Sequence, residues 1–101
     1  MRRVGAVVAI ALLLCSCDLG GPDEDATGEE IYLQLCAGCH DEDLEGGVGP
    51  DLGPGSNAAG EDDEYLEFTI INGRGRMPSF TSLDEFQLER LIAYVREVQG
   101  E

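Results

Sequence analysis

The chain has no lysine, no tryptophan and one histidine, and its six arginines face 21 acidic residues for a formal net charge of −15. So few cations cannot neutralise a phosphate backbone, and nucleic-acid binding is excluded. No apolar run reaches the ~20 residues of a spanning helix, since the N-terminal run ends within Val4 to Leu14. There is no strand alternation, no alternating strand and helix pattern, and no internal repeat. No catalytic acid, base or nucleophile stands out. What remains is a small, acidic, helical exported chain.

Arg2 and Arg3 form a positive n-region, and the apolar run is followed by small and polar residues, as in a secretory signal peptide. The paired arginines lack the rest of a twin-arginine pattern. Leu14-Cys15-Ser16-Cys17 resembles a bacterial lipobox, with Leu14 and Ser16 in the guiding places before Cys17. The resemblance implies a signal over 1–16 that is removed and an acylated N-terminus at Cys17. Asp18 is similar to an inner-membrane retention signal. Acyl chains on one cysteine anchor stably, because two lipid signals are enough. The alternatives are a retained membrane helix and a soluble protein cut near Ser16. Residues 17–26, rich in Gly, Pro and acid, read as a flexible acidic tether, and 27–101 as one domain too small to build a generous core unaided.

Cys36-Ala37-Gly38-Cys39-His40 is a C-x-x-C-H sequence. Two thiols at this spacing can each bond a haem vinyl group while the next residue sets an imidazole against the iron, the pattern of c-type haem attachment. Its rivals are a zinc half-site, a redox dithiol and a structural disulfide. Structural zinc usually takes four protein ligands, and the only other cysteines, Cys15 and Cys17, lie at the signal junction, with no second histidine. A thioredoxin-like dithiol would normally sit in a βαβ pattern. With the signal removed, His40 and Met77 are the single histidine and methionine. Haem iron pairs His with Met in many proteins, which makes Met77 the candidate sixth ligand, in a loop where Gly73, Gly75 and Pro78 shape the backbone.

Three helices are expected. The first starts at Thr27, where Thr27 and Glu30 make a capping-box pair, and carries Ile31, Tyr32 and Leu35 into the motif. The second covers about Glu61 to Ile71, with acids in its first turn and Leu66, Phe68, Ile70 and Ile71 as apolar positions. The third starts at Ser82, capped with Glu85, and sets Leu88, Leu91, Ile92, Val95 and Val98 at helical spacing. Residues 45–60, rich in Gly and Pro, form a loop.

On these motifs the chain resembles a class I cytochrome c of the small bacterial kind over Thr27 to Gln99. The resemblance implies an all-α fold of three main helices and loops around one covalently attached haem c. Gly28 and Tyr32 match the family's N-terminal helix and Leu91 and Tyr94 its C-terminal helix, which cross in that family. Gly49-Pro50-Asp51-Leu52 is similar to the segment whose proline carbonyl, here Pro50, takes the second N–H of the proximal histidine. Met77-Pro78-Ser79-Phe80 is similar to the distal methionine segment. The implied site is Cys36 and Cys39 for attachment, His40 and Met77 as axial ligands, and Pro50, Leu52 and Phe80 in the haem pocket.

The implied function is outer-sphere transfer of single electrons between membrane-associated or periplasmic partners, with both axial positions filled and no small-molecule substrate at the iron. Removing Arg2 and Arg3 with the signal leaves four arginines against 21 acids. Clusters such as Asp41 to Glu45 would steer a basic partner surface, or serve solubility alone. Two other functions fit the same chemistry: a fixed haem subunit of a membrane oxidoreductase or terminal oxidase, and a haem-based sensor with a displaceable Met77.

Overall fold

The computed structural model describes residues 21–100, and the expected signal peptide, the acylated Cys17 and Asp18 lie outside them. Four α-helices follow in chain order: α1 (Gly28–Leu35), α2 (Ala37–His40), α3 (Asp63–Asn72) and α4 (Glu85–Gln99), with one 3₁₀ turn at Ala58–Gly60. Among the described residues no helix is long and apolar enough to cross a membrane.

The first helix starts where the sequence indicates. Thr27 Oγ1 accepts from the Glu30 amide at 3.1 Å and Glu30 returns a carboxylate oxygen to the Thr27 amide at 2.9 Å, satisfying two of the amides a helix start leaves open. The third expected helix starts later than Ser82. Asp84 is the cap of α4, accepting from the Gln87 amide at 2.7 Å, while Gln87 Oε1 accepts from the Asp84 amide at 2.8 Å. A carboxylate at this position also complements the helix dipole, which a serine hydroxyl does not. The second expected helix is α3, capped by Asp62. The 45–60 segment is loop except for its 3₁₀ turn.

Helices α1 and α4 cross with almost no gap. A Cβ on Gly28 would collide with the Arg90 carbonyl oxygen and stand 2.8 Å from Tyr94 Cβ. Beside that crossing the Tyr32 and Tyr94 rings lie 5.7 Å apart at 47°, and Ile31, Tyr32, Leu91 and Val95 close the core with Ala26 and Leu44. Tyr32 also donates its hydroxyl to the Asp41 carbonyl at 2.6 Å, tying the end of α2 to α1.

The expected tether is partly fastened. Gln87 Nε2 donates to the Pro22 and Asp23 carbonyls at 3.2 and 3.1 Å, and Arg90 donates to Ala26 and Glu24 at 2.9 and 2.8 Å. Residues 22–26 therefore run as a strap across α4, with Ala26 buried.

Two outcomes follow from this packing. Gly28→Ala should destabilise the haem-loaded protein by about 1–3 kcal/mol or more in guanidinium unfolding, because both obstacles sit on the facing helix. Burial raises the Tyr32 phenol well above its ordinary value, and burial with nearby acids raises that of Tyr94. The fold holds both neutral, so their contribution is full below about pH 10. It is lost above that, as the unfolded chain ionises first, and Tyr32→Phe should flatten the alkaline fall in stability.

Candidate functional site

The C-x-x-C-H sequence spans the break between α1 and α2. Cys36 ends α1 and caps α2, Cys39 lies exposed, and His40 ends α2 with 8% of its surface accessible. Loop 41–52 folds back over this short helix through Gly46 N to His40 O at 2.9 Å, Gly49 N to Cys39 O at 2.8 Å and Leu52 N to Leu44 O at 2.9 Å. The result is a contact 10 residues away in sequence: His40 Nδ1 stands 2.8 Å from the Pro50 carbonyl oxygen. A carbonyl only accepts, so Nδ1 carries the proton and Nε2 keeps its lone pair. Gly49 backs the ring, where a Cβ would come 2.8 Å from Cε1.

His40 borders a slot. Two cavities, of about 700 and 310 Å³, share Cys36, His40, Pro50, Arg74 and Met77 as walls. The larger is lined by Tyr32, Leu52, Leu66, Ile70, Leu91 and Val95 among others, and the smaller by Cys39, Val48 and Phe80. Of the pocket residues the sequence singles out, Pro50 borders both, Leu52 the larger and Phe80 the smaller. Met77 is set by a tight turn, with Arg74 and Met77 exchanging backbone bonds at 3.1 and 2.9 Å. Gly73 makes that turn possible: its φ is 76°, and a Cβ there would meet the Met77 carbonyl at 2.6 Å.

Several lining residues were not legible beforehand. On α3 the slot-facing strip is Tyr65, Leu66, Thr69 and Ile70. Phe68 and Ile71, expected as part of the apolar face, are exposed instead. The i, i+4 pair Leu66 and Ile70 carried the signal, and the two extra apolar residues obscured it. Arg74, whose guanidinium donates to the Tyr65 hydroxyl, also borders both cavities.

The rival readings of the motif do less well here. Burial, with Cys39 nearby, pushes the Cys36 thiol up to about 12, whereas a redox dithiol needs a lowered pKa. The cluster of potential metal ligands gathered among the described residues is Asp41, Asp43 and Glu45. Cys36, Cys39 and His40 do not converge in that way, as a zinc half-site would require. An apolar slot with a free imidazole nitrogen, a thioether and two thiols on its walls instead suits a flat porphyrin.

Fold and slot together define a small helical haem-binding domain of the c type. Residues 23–95 match the family described as "Cytochrome C oxidase, cbb3-type, subunit III". Cytochrome c-551 of Bacillus subtilis (strain 168) is 40% identical over 83 residues, a match covering 69% of this chain and 71% of that protein. The cbb3-type cytochrome c oxidase subunit CcoP of Azospirillum brasilense is 34% identical over 82 residues, of which this chain covers only 28% of the relative. The crystal structure of cytochrome cL from Hyphomicrobium denitrificans superposes with a TM-score of 0.63 at 38% identity, over 71% of this chain and 45% of that one. The chain thus belongs to this cytochrome c family, in the small class I form, with covalently attached haem c as cofactor and electron transfer as its function.

Without that cofactor the slot would be a void in a core of few side chains, at a cost that rises with cavity volume. A Cys36→Ser, Cys39→Ser variant should therefore show little helical circular dichroism, where the haem-loaded chain keeps the signal of its helices. Native-like helicity in the double variant would mean that the domain does not fold around its cofactor.

Proposed function

We propose that this chain is a one-electron carrier held at a membrane surface by an acylated Cys17. In this reading Cys36 and Cys39 would form the thioether bonds and His40 and Met77 would hold the iron. Bound there, haem supplies an iron that gains and loses one electron. The observation that carries the ligand assignment is the 2.8 Å contact of His40 Nδ1 with Pro50. It fixes the ring, leaves Nε2 as the atom that would take the iron and makes the imidazole more basic. Leu52, Leu66, Ile70, Leu91 and Val95 keep water from the slot, and a dry site favours the less charged reduced state. Arg74, held by Tyr65, and Arg76 at the rim of the smaller cavity are the cations available to the cofactor's carboxylates.

With His40 and Met77 both engaged, no coordination place is left for a substrate, and the protein works as a carrier rather than an enzyme. Its partners are redox proteins of the periplasm or the outer face of the cytoplasmic membrane, met through a basic docking surface that complements the acidic exterior. The match over 71% of cytochrome c-551 supports a self-contained carrier. The likeness to CcoP supports the second reading, a fixed haem domain of a terminal oxidase. Co-purification with oxidase subunits from detergent extracts would favour that alternative.

Met77→Ala should keep covalent haem, lose the methionine-to-iron charge-transfer band and bind carbon monoxide when reduced. An unchanged spectrum and potential in this variant would refute the ligand assignment.

A further inference from the structure

The strap over α4 determines where the chain leaves the domain. Gln87 and Arg90 hold Pro22 to Ala26 by four hydrogen bonds, and Gly21 stands against Ser82, 3.2 Å from its Oγ to a Cβ built on the glycine. The exit is therefore the N-terminal end of α4. Only four peptide steps separate Gly21 from Cys17, so whatever path they take, the two Cα atoms are no more than about 14 Å apart.

The surface around this exit is unusual for so charged a protein. Phe80 N donates to Ile70 O at 2.9 Å and Ser79 Oγ to Asn72 O at 2.8 Å, which lays the C-terminal end of α3 along the loop that leads to Ser82. Phe68 and Ile71, three residues apart on one face of α3, are 66% and 37% exposed, and Phe86 in the first turn of α4 is 67% exposed. These are three of the six large apolar side chains exposed among the described residues. Ile71 is in the last turn of α3 with Phe68 one turn before it, and Phe86 opens α4, the two helices being joined by the loop that carries Ser82. Bulky aromatic side chains partition readily into the headgroup region of a bilayer. The opposite end of α4 is polar: Arg96 and Gln99 bind the carbonyls of Ala58, Glu61 and Leu52 there, about 22 Å away along a helix of 15 residues.

We infer that the exit end of the domain, with Phe86, Phe68 and Ile71, is a membrane-seating surface, and that the strap holds the domain in one orientation on a short leash. The occupant is the lipid bilayer that carries the Cys17 anchor, and the inference rests on the acylation proposed above. Exposed acids lie on the strap, Asp23 to Asp25, and at the start of α4, Asp84, Glu85 and Glu89, so this end suits zwitterionic rather than anionic headgroups. A carrier seated in this way serves partners embedded in its own membrane, at fixed height, rather than sweeping freely between distant ones.

The test uses the acylated, haem-loaded protein in phosphatidylcholine vesicles. With Cys17 acylated and Cys36 and Cys39 bonded to haem, a cysteine placed by Ser82→Cys or Asn57→Cys takes a single nitroxide label. Collision with oxygen, which concentrates in lipid, is compared with collision with chelated nickel, which stays in water. The ratio should be several-fold higher at 82 than at 57. Phe86→Ser, at an exposed position that leaves the core intact, should bring the value at 82 down towards that at 57, and Arg90→Gln should narrow the contrast by loosening the strap. Equal ratios at 82 and 57 on protein that floats with the vesicles would overturn the seating surface while leaving the anchor standing. Protein that does not float, with Cys17 unmodified by mass spectrometry, would overturn the anchor and the inference with it.

Discussion

The hydrogen bond from His40 to the Pro50 carbonyl organises the rest of the molecule. To make it, loop 41–52 has to turn back over α2, which two backbone bonds from the loop to His40 and Cys39 and one within it, Leu52 to Leu44, hold in place. The same loop buries Leu44 in the core and places Leu52 on the slot, where its carbonyl takes the Gln99 side chain from the last turn of α4. One ring orientation therefore links the motif helix, the loop and the C-terminal helix. A cavity of about 700 Å³ remains between them, large relative to a core whose fully closed side chains are Ile31, Tyr32, Leu44 and Leu91. Emptied, this half-open apolar slot would leave its lining side chains in water, a loss that a domain this small has little core to offset. Fold and cofactor are therefore mutually dependent.

Much of this was legible where the determinants are local. Thr27 with Glu30, the five-residue motif, and the single methionine in its Gly-rich loop each act within a few residues. Where a longer-range competitor intervenes the sequence misleads. Ser82 with Glu85 has the spacing of a capping box, yet Asp84 with Gln87 forms it, and Gln87 is held there also by carbonyls 64 and 65 residues earlier. Phe68 and Ile71 look like core by composition, but only rotation about the axis of α3 decides which of its apolar residues meet the slot. The strap was invisible for the same reason: Pro, Gly and acid read as free tether, and nothing local announces that Arg90 will collect two carbonyls.

Charge is distributed with a division of labour. Arg90 fastens the strap, and Arg96 binds Asp63, Gln99 and two loop carbonyls, the Asp63 contact being the ion pair among the described residues. Arg74 and Arg76 border the slot. The scaffold and the slot thereby use all four arginines of the described residues, and the acids outside have little internal compensation. Such a surface generates a field that reaches a partner before contact and fades with salt.

The most direct test of the central claim, a closed haem centre with His40 and Met77 as its two axial ligands, is the optical spectrum of the wild-type haem-loaded protein, oxidised and reduced, with carbon monoxide added to the reduced form. The account predicts low-spin c-type bands, a methionine-to-iron band in the oxidised state and no change with carbon monoxide. A carbon monoxide adduct in the wild-type protein would contradict it, because the iron would then be open to a ligand that His40 and Met77 together should exclude.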